Sequence, residues 1–314
     1  MTREVRDLQR DTIRGMSAIR YGGIEAGGTK FVCAVGSGPG DVVARERIPT
    51  TTPAETLARV VDFFRAAETA HGACAAFGVA AFGPLDLDPA SPAYGRLTET
   101  PKPHWSGADL LAPLRSAFGK PIALATDVHG AGLAEWQWGA GQGCATLCYV
   151  TVGTGIGGAL LRDGSPLDPV LHPEMGHLRT PRHPQDRGFA GVCRVHGDCL
   201  EGLASGPAVV ARWGAPLETL PESHPAWEIL GFYLGHLCTA VTLVAAPQRI
   251  VLGGGLFTGG ALLAPVRRTT IELLGGYPRR SVLDAGLERY LRPAGLADRA
   301  GVLGALALAA GSLA

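Results

Sequence analysis

Reactive side chains crowd into one segment, residues 172–201, which reads HPEMGHLRTPRHPQDRGFAGVCRVHGDCLE. His172, His177 and His183 fall in its first twelve residues, His196 lies between Cys193 and Cys199, and Glu174 and Glu201 bracket the group. Zinc takes four nitrogen or sulfur donors in a tetrahedron, with its thiols deprotonated. Cys193, His196 and Cys199, three residues apart, can converge from one tight loop. The fourth ligand is His172, His177 or His183, and the spacing does not choose among them. Four protein ligands leave no open position for water, so the expected ion is structural rather than catalytic. Free thiols beside surface histidines are the competing reading, which the C-x-x-H-x-x-C spacing disfavours.

A second candidate is Asp127, which ends the apolar run IALATD (122–127). Strand ends at a cleft are where α/β proteins place reactive groups. An acid there is equally suited to cap the helix that follows, VHGAGLAEWQWG. On residue type alone the two readings are level.

Glycine forms the third group, 45 residues gathered in clusters. Residues 22–36, GGIEAGGTKFVCAVG, run strand, glycine turn, strand, which predicts a β-hairpin turning at Gly27–Lys30. The same arrangement returns in LCYVTVGTGIGGALL, with its turn at Gly153, Thr154 and Gly155. The repetition predicts two similar halves, each offering backbone N–H groups to an anion. A third cluster, Gly253–Gly255, follows the strand RIVLGGGL. A dinucleotide fingerprint needs a helix after its glycines, whereas both hairpin clusters run into strands. A phosphate-binding P-loop needs Gly-Lys-Ser/Thr, and Gly119-Lys120-Pro121 does not supply it. Any one cluster alone is a tight turn; three together favour a nucleotide.

Alternating strands and helices must position these groups. Helical spacing covers 56–72, a buried strand 75–83, a long apolar helix 224–246 stopped by Pro247, and an alanine-rich helix 300–310. This is an α/β chain with parallel elements. Its 314 residues suffice for two domains, and 28 basic residues balance 28 acidic ones. Neutrality argues against nucleic acid or an anionic membrane as partner. No run reaches the ~18 uninterrupted apolar residues of a membrane span. The charged N-terminus, residues 1–20, reads as a disordered tail rather than a signal peptide. Seven scattered cysteines form no disulfide framework and point to a reducing, cytoplasmic compartment.

IEAGGTK, VTVGTGIGGAL, HPEMGH, CxxHGxCLEGLASGP and VLGGGL, in that order over about residues 21–310, resemble the motifs of the ROK family of sugar kinases, in particular its bacterial fructokinase branch. The resemblance implies an actin-like, hexokinase-type duplicated α/β fold, with two domains around a cleft and the last helix returning to the first domain. The implied division is 21–127 plus 298–314, and 128–297 with the zinc-binding segment. It implies ATP, Mg²⁺, structural Zn²⁺, a homodimer and phosphorylation of a hexose, fructose first. Glucose, mannose or an N-acetylhexosamine are alternative substrates, and a sugar sensor without turnover is the alternative of another class. Some ROK members are repressors with an N-terminal helix-turn-helix, for which about twenty residues before the first hairpin are too few.

Carried onto matching positions, the family pattern makes His177 the fourth zinc ligand and also a sugar ligand, beside Glu174 and Glu201. It makes Asp127 the catalytic base and places Lys102 and Trp105, from TPKPHW, on the sugar. Gly28, Thr29, Lys30, Gly153, Thr154 and Gly155 face the phosphates, Pro207 and Gly253, Gly254 and Gly255 hold the adenosine side, and Glu25 orients water on Mg²⁺. Three positions depart from the pattern: His129 stands where Asn is usual, His104 where Gly is usual, and Arg194 where Pro is usual.

Overall fold

The computed structural model describes residues 19–100, 102–167, 172–278, 281, 283 and 287–313; the tail expected over residues 1–20 falls outside them except for its last two residues. Among the described residues ten strands form two five-stranded sheets. In the first, β1 (Tyr21–Ala26) pairs antiparallel with β2 (Lys30–Gly38) and parallel with β4 (Ala76–Ala81); β3 (Asp41–Pro49) and β5 (Ile122–Thr126) complete it in the order β3-β2-β1-β4-β5. The second sheet repeats the scheme. Here β6 (Thr146–Val152) pairs antiparallel with β7 (Ile156–Arg162) and parallel with β9 (Arg249–Gly253), in the order β10-β9-β6-β7-β8, where β8 is Ser165–Pro166 and β10 is Leu291–Pro293. The duplication expected from the two glycine hairpins is thus a duplication of whole sheets.

The helices are α1 (Pro53–His71), α2 (Ala112–Phe118), α3 (Asp127–Trp138), α4 (Leu200–Ala204), α5 (Gly206–Trp213), α6 (Ala226–Val244), α7 (Leu263–Leu274) and α8 (Ala300–Gly311). One core lies under the first sheet and α1, around Phe31, Phe64, Phe77 and Trp105. Another lies between the second sheet and α6, around Tyr233, Leu234 and Leu237. A third joins the two, with Val32 of β2, Tyr149 of β6 and Leu303 and Leu306 of α8. Helix α8 lies close on β1 and β4: a Cβ at Gly78 would sit 1.9 Å from the Ala305 carbonyl oxygen. Only glycine allows that approach.

By length and hydropathy (mean 1.3) α6 could span a bilayer. Here Ile229, Leu230, Tyr233, Leu234, Leu237 and Cys238 are buried in the core, which is what an apolar helix of a folded α/β protein does. All seven cysteines are free, and Cys33, Cys74, Cys148 and Cys238 are deep in the cores.

Candidate active site and metal centre

Asp127 is the first residue of α3, directly after β5, but it is not the cap. Thr126 fills that role, its hydroxyl accepting from the His129 N–H at 3.2 Å. The Asp127 carboxylate accepts from the neighbouring Val128 N–H, at 2.8 Å. A helix start that is already capped leaves this acid for other work. Burial raises its pKa to about 6, partly offset by backbone N–H groups, with Glu174 raising it further and His172 lowering it. Glu25 of β1 is also raised, by burial first and then by the nearby Asp127 charge. The central strand and the edge strand β5 of the first sheet thus bring two acids close enough for each charge to be felt at the other.

The four metal-type side chains converge. One donor atom each from His177, Cys193, His196 and Cys199 lies within 4.8 Å of all the others. His177 Nδ1 is 3.4 Å from Cys199 Sγ and 3.8 Å from Cys193 Sγ, and His196 Nδ1 is 3.9 Å from Cys193 Sγ. These are spacings that donors around a tetrahedral ion about 2.0–2.3 Å away would have. The loop is held by reciprocal backbone bonds between Cys193 and Gly197, and the His196 N–H donates to Cys193 Sγ at 3.5 Å. The donor set fits zinc. Among the three histidines left open by spacing, His183 instead accepts from the Gln185 N–H and packs edge-on to Phe232, while His172 pairs with Glu174.

With Nδ1 of His177 facing the sulfurs, Nε2 faces the exposed Glu174, 4.0 Å from Oε2. The other Glu174 oxygen meets His172 Nε2 at 3.0 Å, and that partner holds the carboxylate's pKa below its ordinary value. Glu201, in the first turn of α4, accepts from the Ile156 N–H at 3.0 Å and so leans on the second hairpin beside Gly155. Cys199 and Glu201 are two residues apart, so one short element carries both a metal ligand and an acid.

The glycine clusters meet as backbone. Gly153 N–H donates to the Gly155 carbonyl at 2.9 Å, and Gly206 N–H to the Gly153 carbonyl at 2.7 Å. A Cβ on Gly153 would lie 3.8 Å from Gly255 N, and one on Gly254 (φ 86°) would collide with Val152 backbone at 2.4 Å. Thr154, Pro207, Gly254 and Gly255 are exposed on this surface, and Gly253 is buried beneath it. The first hairpin closes through Gly27 N–H to Lys30 O at 3.0 Å; Gly28 has open space, and Thr29 and Lys30 are exposed. Turns this poor in side chains let phosphate oxygens approach the backbone closely.

One expectation is corrected. Trp105 is 0% exposed, donates from Nε1 to Thr51 O at 2.8 Å and packs between Phe31 and Phe82. Its indole is core and no sugar can reach it. Lys102 is half-buried in the same turn, and no contact among the described residues ties it to the acids. His104 adopts φ 71°, a left-handed conformation that explains why glycine suits that position.

Sequence and structure comparisons agree with this architecture. The chain is 48% identical over 292 residues to the fructokinase of Zymomonas mobilis, covering 92% of this chain and 96% of that one. It is 38% identical to a putative fructokinase of Bacillus subtilis, covering 92% and 94%. Among solved structures, the ROK hexokinase from Thermus thermophilus superposes with a TM-score of 0.72 at 26% identity, covering 94% and 99%. A ROK transcriptional regulator also shares the fold, with a TM-score of 0.74 at 19% identity, so fold alone does not separate kinase from regulator. The ROK family model matches residues 21–312, and with relatives this similar along nearly the whole length the chain belongs to the ROK family, with its actin-like, hexokinase-type α/β fold.

Proposed function

We propose that this protein is a fructokinase, transferring the γ-phosphoryl group of ATP to a hydroxyl of fructose. The observation that carries the reading is the buried Asp127, which does not cap its helix and feels the charges of His172 and Glu174, with Glu174 in turn beside His177 of the metal-type cluster. Phosphoryl transfer asks for positioning, charge neutralisation and a proton acceptor. Asp127 accepts the proton of the attacking hydroxyl; a carboxyl poised near 6 is a base close to neutral pH. Glu174, Glu201 and His177 Nε2 hold the neighbouring hydroxyls, which are hydrogen-bond donors that carboxylates pair with well. Lys102 lies on the sugar side.

Gly28, Thr29 and Lys30 from one hairpin and Gly153, Thr154 and Gly155 from the other cradle the phosphates, and Pro207 with Gly253, Gly254 and Gly255 holds the adenosine. A bound Mg²⁺ would supply charge neutralisation at the phosphates, with Glu25 placed to orient a water on it. His177, Cys193, His196 and Cys199 would hold a structural Zn²⁺, which would fix the His177 tautomer and leave its other ring nitrogen for the sugar. In this reading residues 21–127 with 298–314 form one domain, 128–297 the other, and the cleft runs between them. The enzyme works as a cytoplasmic homodimer without nucleic acid or membrane.

The test is a panel of sugars. ATP consumption with Mg²⁺ is measured on fructose, glucose, mannose and N-acetylglucosamine, and the highest kcat/KM is expected with fructose. A higher value on an aldohexose would reassign the substrate, and sugar binding without turnover would make the protein a sensor.

A further inference from the structure

Beside Asp127 lies a cavity of about 70 Å³, walled by His129, His172, Leu87, Leu160, Pro166 and Leu167. It touches the proposed sugar site from two directions. His129 is two residues past the base, in the first turn of α3, and spends only its backbone N–H on the Thr126 cap. His172, on another wall, is bonded to the sugar-side carboxylate Glu174 at 3.0 Å. A space of this size has room for a hydroxymethyl-sized group.

Its chemistry is mixed in a particular way. Four apolar side chains suit a methylene, and imidazoles suit a hydroxyl. Among the described residues nothing with a fixed positive charge lines it, so a phosphate or carboxylate would be poorly held. Burial lowers the His129 pKa to about 4, so its ring is neutral at physiological pH and offers one donor and one acceptor. A hydroxyl is also one donor and an acceptor. Resting on the fructokinase reading, the choice of ligand group follows from sugar chemistry. The anomeric carbon of a ketohexose carries a hydroxymethyl arm where that of an aldohexose carries hydrogen.

We propose that this cavity is the subsite for the C1 hydroxymethyl arm of a ketohexose, with the His129 imidazole as its hydrogen-bonding partner. His129 is then a specificity-determining residue, and His172 holds Glu174 so that ring and arm are placed together.

The test removes the arm's hydroxyl and the imidazole separately and together. kcat/KM with Mg-ATP is measured for fructose and for 1-deoxyfructose, in the unmodified enzyme and in His129→Leu and His129→Gln. The unmodified enzyme is expected to prefer fructose by at least about tenfold, because a site built to bond a hydroxyl rejects the analogue lacking it. His129→Leu should shrink that ratio by about tenfold, the size of one lost hydrogen bond. His129→Gln, with a donor and an acceptor at similar reach, should keep most of it. Zinc content and a melting curve check folding; if the leucine variant fails to fold, His129→Asn, polar but too short to reach, takes its place. Equal use of the two sugars by the unmodified enzyme, or the same ratio in all variants, would overturn the subsite while leaving the fructokinase reading intact. No turnover of fructose at all would instead overturn that reading, and the subsite with it.

Discussion

At the scale of single residues, the acids in the cleft differ in what surrounds them, and their behaviour should differ accordingly. Asp127 is raised to about 6 by burial, so its base form dominates only above that pH. The acid limb of kcat/KM should therefore bend near pH 6, with activity rising as pH increases; a limb near 4 would mean an ordinary, solvated carboxylate. Glu201 is tied by one oxygen to the Ile156 N–H, and in the proposed site the other meets the sugar. Glu201→Gln keeps one acceptor but loses the charge, and hydrogen bonds to charged groups are worth roughly 1.5–3 kcal/mol. kcat/KM for sugar should fall about ten- to a hundredfold with zinc content unchanged. Unaltered kinetics would leave Glu201 a structural prop of the hairpin.

Elements explain why some of these residues were legible in the sequence and others were not. The metal cluster could be read because three ligands share one seven-residue loop, where spacing dictates convergence. The fourth, His177, is sixteen residues earlier, and only the short 3₁₀ turn Met175–His177 brings its Nδ1 to the sulfurs. A closed site of this kind should stabilise the segment that bears Glu174 and Glu201. Cys199→Ser is expected to lose about one zinc per chain and lower the melting temperature clearly; full activity and stability without metal would contradict the clasp. Long-range partners left no local signal. Gly206 bonding Gly153 joins residues 53 apart. Glu135 is fully buried and accepts from Ala140, Gly295 and Leu296, pinning α3 to the chain that enters α8. Sequence shows an acid on a helix there and nothing of its partners. Trp105 was misread for the related reason that a motif does not say which way a side chain faces.

For the whole molecule, duplication is the organising fact. Two sheets with the same hairpin-plus-parallel-strand core each present a glycine turn, and α3 and α8 pack where the sheets meet. That pattern was legible because each half repeats the same apolar strand, glycine turn and apolar strand. The assembled site was not, since Glu25 and Asp127 come together only when β1 and β5 share one sheet. The account's central claim is that this assembly exists to let Asp127 take a proton from the sugar as phosphoryl transfer proceeds. Asp127→Asn keeps the shape and removes both the base and a buried charge, while the Thr126 cap stays in place. The decisive measurement is turnover of that variant at saturating fructose and Mg-ATP beside a thermal melt. The account predicts a loss of about 10²–10⁴ in rate, with zinc content kept and a melting temperature no lower than that of the unmodified enzyme. Near-normal turnover would contradict it and hand the proton to another group in the cleft.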